Sequence, residues 1–380
     1  MIELVKLNKR RYGIVASLLA LTVLTSCQIF NKDIKMTTLP LKEQQQVTAL
    51  LSNSLTRCIG TYLIDFPVAF KVNRESLFYY KDTGDVIITT KQQYLPPFKQ
   101  LIALREEALK KTKTVDPIDS PYLKAIYPVH TNHPDKIQGI IFERMESQGT
   151  DDSARVLEGY RWQDEVTLKI EMKAQNGSDE KHDENRIKYP ELYTNDVPQR
   201  LLELRKLFDR IKPRDDLTIP TTPGFCLLRG FMQGEEQEWK NTGVTYQHDS
   251  DNDFYFNISY NNYKGYYKLL DQSESYVTED RGHTIYKGTR ESHGLKLEEW
   301  LVKGQFFSDE SGYDSDDWGY KFILGINMLD PSHKTPQLQI KMTYRIPEDE
   351  TQGYTQAQLI VIWREITNSI KIRESSFEPE

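Results

Sequence analysis

Arg57-Cys58-Ile59-Gly60-Thr61-Tyr62-Leu63-Ile64-Asp65-Phe66-Pro67 is the stretch from which the fold is read. It follows an amphipathic run, is rich in β-branched and aromatic residues, and stops at a proline that cannot extend a ladder; it reads as a strand. A second segment with a cysteine, Gly224-Phe225-Cys226-Leu227-Leu228-Arg229-Gly230-Phe231, opens in the same way after Pro213, Pro220 and Pro223. The chain therefore divides into halves, each beginning at a cysteine-bearing strand.

Working outward, Leu41 to Leu55 carries Val47, Leu50, Leu51 and Leu55 at helical spacing. Ser76–Tyr80 and Asp85–Thr90 read as a hairpin turned at Gly84. Pro96 to Lys113 predicts a helix with Phe98, Leu101, Ile102, Arg105 and Leu109 on adjoining faces and a basic last turn suited to its dipole. A proline-punctuated crossing is followed by strands at Gly139–Glu146, Arg155–Trp162 and Glu165–Ala174. Residues 175–196 read as an exposed loop, and Val197 to Lys212 as a helix through Leu201, Leu204, Phe208 and Ile211.

The second half predicts strands at Phe225–Met232, Glu238–Gln247, Phe254–Asn261, Lys296–Phe306, Tyr320–Asn327 and Gln337–Arg345. A final helix runs from Gln356 to Ile372 with Leu359, Ile362, Trp363, Ile366 and Ile370 on one stripe. The closing turns, Ile211-Lys212-Pro213-Arg214 and Ile370-Lys371-Ile372-Arg373, resemble each other. The expected fold class is α+β: two similar modules, each an antiparallel sheet with packed helices. The expected divisions are 1–26 leader, 27–40 tether, 41–213 N-terminal domain and 214–380 C-terminal domain.

The leader has a basic start (Lys6, Lys9, Arg10, Arg11) and an apolar run from Ile14 to Leu24, ending in Leu24-Thr25-Ser26-Cys27. Branched, small, small, cysteine resembles the bacterial lipoprotein signal, which implies lipid attachment at Cys27 and cleavage before it; several acyl chains anchor stably. Gln28 stands where aspartate would favour the inner membrane, so attachment to the outer membrane with the body facing the periplasm is expected. Residues 1–26 hold four basic residues and one acid, so their removal takes the formal charge from −7 to about −10. Such a body disfavours nucleic acid and anionic lipid surfaces and favours a partner with a basic face. In an oxidising compartment Cys58 and Cys226 can pair, or each can stay a small buried thiol.

Searching for chemistry yields no catalytic residue. There is no Gly-x-Ser-x-Gly elbow, no His-Glu-x-x-His and no phosphate-cradling glycine loop. His130 and His133 lie in a Pro-rich loop and read as a surface pair instead of a metal site. Asp249-Ser250-Asp251-Asn252-Asp253 starts like a calcium loop, but Phe254 replaces the glycine and Tyr260 the terminal glutamate. No metal or cofactor is expected. The segment from Asp309 to Gly319 sets Tyr313 and Trp318 among Asp314, Asp316 and Asp317. Acid with aromatics is the composition of a protein-recognition loop, with rings as anchors and carboxylates steering a basic partner. Asp249, Asp251 and Asp253 join these as candidate partner contacts. The bland alternative is a solvated acidic loop with Trp318 folded back into the core.

The opening strand, Pro223-Gly224-Phe225-Cys226, the Glu298-Glu299-Trp300 strand and the closing helix together resemble the two-domain immunity proteins that neutralise type VI secretion lipase effectors of the fourth class. The likeness covers nearly all of the chain after the leader, although Leu227-Leu228-Arg229-Gly230 replaces a more polar, glycine-rich continuation. It implies a non-catalytic inhibitor that grips an α/β-hydrolase phospholipase between two domains in the periplasm, keeping its lid from opening onto membrane. A lipid anchor would hold such an antidote beside the lipids at risk. An envelope lipoprotein with a scaffold or assembly role is the second reading, and an enzyme the third.

Overall fold

The computed structural model describes residues 35–73, 76–81, 85–131, 133, 136–265, 267–278, 281–305, 307 and 317–378. In the first half a helix (Leu41–Leu51) leads into β1 (Ser54–Ile59), β2 (Tyr62–Pro67), β3 (Phe70–Val72), β4 (Phe78–Tyr80) and β5 (Val86–Gln92). A helix at Leu95–Lys111 precedes β6 (Leu123–Pro128), β7 (Ile137–Met145), β8 (Ala154–Gln163) and β9 (Val166–Gln175). The closing helix Val197–Arg210 then runs into β10 (Ile211–Pro213). The second half holds β11 (Gly224–Leu227), β12 (Gly230–Gln233), β13 (Lys240–His248), β14 (Phe254–Asn261), β15 (Gly282–Ser292), β16 (Leu295–Gln305), β17 (Trp318–Ile326) and β18 (Gln337–Arg345). Its closing helix, Gln356–Asn368, is followed by β19 (Lys371–Ile372).

The sheet unites the halves. Its hydrogen-bonded order is β15-β16-β17-β18-β14-β13-β4-β5-β9-β8-β7-β6, with β3 also on β13. From the central β4–β13 pair outward, the first half runs β4, β5, β9, β8, β7, β6 and the second β13, β14, β18, β17, β16, β15. The same path is walked twice in opposite directions, which is the topology of a duplicated α+β module. Strand faces alternate as a half-covered sheet requires: Phe254, Phe256, Ile258 and Tyr260 of β14 are buried, and Asn257 and Ser259 between them face solvent. The closing helix of the second half is fixed at its start by a capping box between Thr355 and Gln358. It lays Leu359, Ile362, Trp363 and Ile366 onto the core.

Each cysteine-bearing segment is a hairpin, not the single strand expected. In the first, Gly60 takes φ +62 between β1 and β2; a Cβ there would lie 2.5 Å from the Tyr260 ring. In the second, Arg229 takes φ +52 between β11 and β12. Each hairpin then receives a strand from the other half. β10, continuing the first closing helix, pairs with β12, whereas β19, continuing the second, pairs with β2. The similar closing turns are thus the exchanged strands. Each ends in a buried arginine that ties down loop carbonyls. Arg214 donates to Leu227 O (2.8 Å) and Gly230 O (3.1 Å), and Arg373 to Gly224 O (2.6 Å) and Thr222 O (2.9 Å).

Other boundaries shift for local reasons. The first helix stops at Leu51, because Leu55 already belongs to β1. The final helix stops at Asn368, where Ser369 caps it and the chain straightens into β19. The proline-rich crossing contains β6, which pairs with β7 through a register shift. Residues 175–196 include a 3-10 turn at Glu180–His182 and a short helix at Asp183–Lys188, with His182 buried. β15, edge partner of β16, lies where no strand was expected. β4 and β5 pair as the hairpin reading predicts, while Gly84 lies outside the described residues.

Candidate functional site

Cys58 and Cys226 are disulfide-bonded, their Cα atoms 5.8 Å apart. The bond reinforces a backbone bridge in which Gly60 and Cys226 exchange two 2.9 Å hydrogen bonds. The first strands of the two hairpins are therefore joined covalently, and the seam there is closed, with room for only about 10 Å³. Nearby, the Thr90 hydroxyl donates to Leu228 O, crossing from one half to the other.

Three of the candidate contact residues, Asp253, Asp317 and Trp318, meet at one end of the second half's strands. Trp318 is the first residue of β17 and remains 42% exposed. Lys303 of β16 stands 5.9 Å from the Trp318 ring centre and 5.5 Å from that of Tyr320. Arg345, ending β18, gathers the acidic segments: it pairs with Asp317 at 2.8 Å and Asp253 at 3.1 Å. Its guanidinium carbon lies 4.4 Å over the Phe307 ring. A shallow hollow of about 510 Å³ opens beside Trp318, walled by His283, Lys303, Ile346, Pro347, Glu348 and Glu350. An amphipathic ring in a hollow with charges of both signs around it suits protein contact.

The remaining candidates separate from that hollow. Asp249 and Asp251 lie in the turn between β13 and β14; Asp251 accepts the Asp253 backbone N–H at 3.0 Å, and Asp249 lies 3.9 Å from the His248 ring nitrogen Nδ1. They act as turn carboxylates there. Tyr313, Asp314, Asp316 and Cys27 lie outside the described residues.

Among the described residues, Asp151, Asp152 and His182 alone have metal-ligand spacing. The groups around Asp152 already occupy its oxygens: Lys181 at 2.9 Å, Lys124 at 3.1 Å and the His182 ring at 2.7 Å. Burial pushes this carboxyl up, but hydrogen bonds from Lys181, His182 and Lys124 outweigh it and hold the group well below the usual carboxylate range. The cluster is a buried ion network that pins the 175–196 segment. A second network centres on Glu158, fully buried on β8, which accepts from Arg105, Arg144 and Tyr160, each at 2.6 Å. Pattern reading placed Arg105 on a helix face without revealing this partner 53 residues away.

A third feature was not legible in the sequence. Arg161 of β8 and Lys212 of β10 stand together in a cavity of about 250 Å³ against the first closing helix. The second half has a hollow of about 590 Å³ between β15 and its own closing helix. There Arg290 and Arg364 both reach the buried Glu299, at 3.3 and 3.0 Å.

The chain is a duplicated α+β body pinned by buried ion networks, with an aromatic hollow at a strand end. The family described as Tle cognate immunity protein 4 matches it in both parts. The N-terminal domain of that family matches residues 55–214 and the C-terminal domain residues 218–375. The chain belongs to this family of two-domain type VI secretion immunity proteins, and it is not an enzyme.

Solved structures share the fold. One is described as the crystal structure of a Tle4-Tli4 complex, with TM-score 0.63, 16% identity, and coverage of 86% of this chain and 99% of that one. Another is the apo structure of the immunity protein TplEi of the type VI secretion system from Pseudomonas aeruginosa, with TM-score 0.62, 16% identity and coverage of 86% and 98%. TplEi complexed with an "L" peptide gives TM-score 0.58, 17% identity and coverage of 85% and 99%. No curated protein matches. Among the described residues no helix is long and apolar enough to cross a membrane.

Proposed function

We propose that this protein binds and inhibits a phospholipase effector of a type VI secretion system, protecting the cell that makes it and its kin. The match of both halves to the immunity-protein family is the observation that carries the reading. The acidic charge and the half-exposed Trp318 beside Lys303 support recognition of a protein surface. Catalytic inhibition would be by occlusion: the body covers the enzyme's approach to lipid and contributes no reacting group. The proposed setting is the periplasmic face of the outer membrane, with the leader removed and Cys27 lipidated. The proposed partner is an α/β-hydrolase, and the proposed working units are the 41–213 and 214–380 domains.

The test incubates the purified protein with the secreted lipase encoded beside it and follows phospholipid hydrolysis. Stoichiometric loss of hydrolysis is expected. Undiminished hydrolysis at excess immunity protein overturns the reading. Hydrolysis by this protein alone would do so equally.

A further inference from the structure

We infer that the cavity between β8, β10 and the first closing helix is a receptor for one acidic residue presented by a protein partner. Arg161 is the centre of the argument. It is only 4% exposed, yet it forms no bonded ion pair with any described carboxylate. One of its nitrogens donates to Ile211 O, and the guanidinium carbon sits 5.9 Å from the Phe208 ring centre. Its Nε has no acceptor, and Gln163, which walls the same cavity, has its buried Oε1 without a donor. Buried polar atoms almost always have partners, so paired orphans on one cavity wall mark a missing group.

Charge points the same way. Burial pushes Arg161 down to about 10, leaving it a cation at neutral pH, with Asp209 and Asp164 favouring the charge only through space. Lys212 stands near enough for burial and the Arg161 charge to lower its own pKa. Arg205 adds a third cation to the same wall, where Asp209 is the one carboxylate among the described residues. Like charges held together in a partly desolvated site repel unless an anion enters. The arginines beside the second closing helix differ: Arg290 and Arg364 both ion-pair with the buried Glu299. Around Arg161 the carboxylate on the cavity wall, Asp209, acts only through space and leaves Nε without an acceptor.

The orphans also describe the visitor. Arg161 Nε calls for an acceptor and Gln163 Oε1 for a donor. The side-chain carboxylate and backbone N–H of one acidic residue provide both. At about 250 Å³ the space falls below the range of drug-sized pockets and is scaled to a side chain. The inference deepens the proposed function, because the residue would belong to the effector, but its first test needs no effector.

That test titrates the full, folded protein with N-acetylglutamate α-amide while following the Arg161 Nε–Hε signal by NMR. A saturable shift is expected, absent with N-acetylglutamine α-amide and weaker with inorganic phosphate. Lys212→Gln should reduce the affinity roughly tenfold, the loss of one charge-assisted contact. Arg161→Lys, which keeps the charge but not the fork, should reduce it as well. No shift in the folded wild type, an equal response to the glutamine analogue, or a stronger response to phosphate overturns the inference. If the lipase still binds the wild type in those cases, only the cavity assignment falls. Failure of the wild type to bind the lipase sinks the function while a saturable probe shift leaves the cavity standing.

Discussion

The indole Nε1 of Trp363 donates to the carboxylate of Glu299 across 2.6 Å in the core of the second half. Glu299 belongs to the Glu298-Glu299-Trp300 strand and Trp363 to the closing helix, so two distant stretches of the chain meet in one hydrogen bond. Glu299 is 0% exposed and also holds Arg364 and Arg290. Glu299→Ala would take from two guanidiniums and the indole N–H the carboxylate they share. A loss of about 3–5 kcal/mol is expected, because removing one member of a buried network leaves uncompensated charge. Chemical denaturation measures it, and a loss below about 1 kcal/mol would show that water replaces the carboxylate.

Glu158 predicts acid sensitivity in the first half. Burial alone would raise its pKa, but hydrogen bonds from Arg105, Tyr160 and Arg144 bring it down to about 2. A folded-state value below the unfolded one means stability present above pH 4.5 and lost progressively as pH falls towards 2. The contribution is about 3 kcal/mol at neutral pH by linkage. Arg105→Met should raise the folded pKa and move the acid unfolding midpoint to higher pH. An unchanged midpoint in that variant would remove Glu158 from the account.

The covalent tie between the hairpins should matter to the whole molecule. Cys58 and Cys226 are 168 residues apart, so the bond closes a very long loop in the unfolded chain. Cys226→Ser is expected to lower stability by about 2–5 kcal/mol. The comparison is thermal unfolding of wild type and variant with and without reductant. Reductant should weaken the wild type only; equal sensitivity in both would place the effect elsewhere.

These residues also mark how far the sequence was legible. β14 and β18 were read to the residue, since Phe254-Tyr255-Phe256 and Gln337-Leu338-Gln339 alternate cleanly across a half-covered sheet. Both closing helices showed their apolar stripes. The hairpins were hidden because their turns lie inside apolar runs: Gly60 and Arg229 take positive φ without the usual polar turn residues around them. The exchange of β10 and β19 is a pairing between halves, and local pattern carries no information about it. Only the likeness of the Ile211–Arg214 and Ile370–Arg373 turns hinted at corresponding roles. Arg161 was invisible for a related reason, since the absence of a partner is a property of the assembled neighbourhood. The candidate Trp318 was flagged by composition, but Arg345, which collects Asp253 and Asp317, was not, because it sits at the end of an ordinary strand.

The turn at Gly60 is a position where substitution should be costly. Gly60→Ala would force an L side chain into φ +62 and drive its Cβ towards the Tyr260 ring at 2.5 Å. Strain of this kind costs about 1–3 kcal/mol before the ring is displaced. A lowered denaturation midpoint with unchanged slope is the expected result. Wild-type stability would mean that the hairpin and Tyr260 relax together.

The last prediction concerns the hollow beside Trp318. Affinity in a protein interface concentrates on a few aromatic anchors, while rim charges act mainly on encounter. Trp318 is half exposed and flanked by Lys303, so truncating it removes contact area without opening the core. Trp318→Ala is therefore expected to weaken the lipase complex by roughly 2 kcal/mol, chiefly through faster dissociation. Asp317→Asn should behave differently from a free surface acid. Its carboxylate is engaged by Arg345, so neutralising it leaves that guanidinium with Asp253 alone and raises the local positive charge. Asp253→Asn should act alike, through the same arginine. Slower association with a basic lipase surface is expected for both, with the difference shrinking as salt screens the field. Stopped-flow association and dissociation rates at low and high salt separate these effects. Wild-type rates in Trp318→Ala, with inhibition intact, would move the contact surface away from this hollow while leaving the immunity function in place.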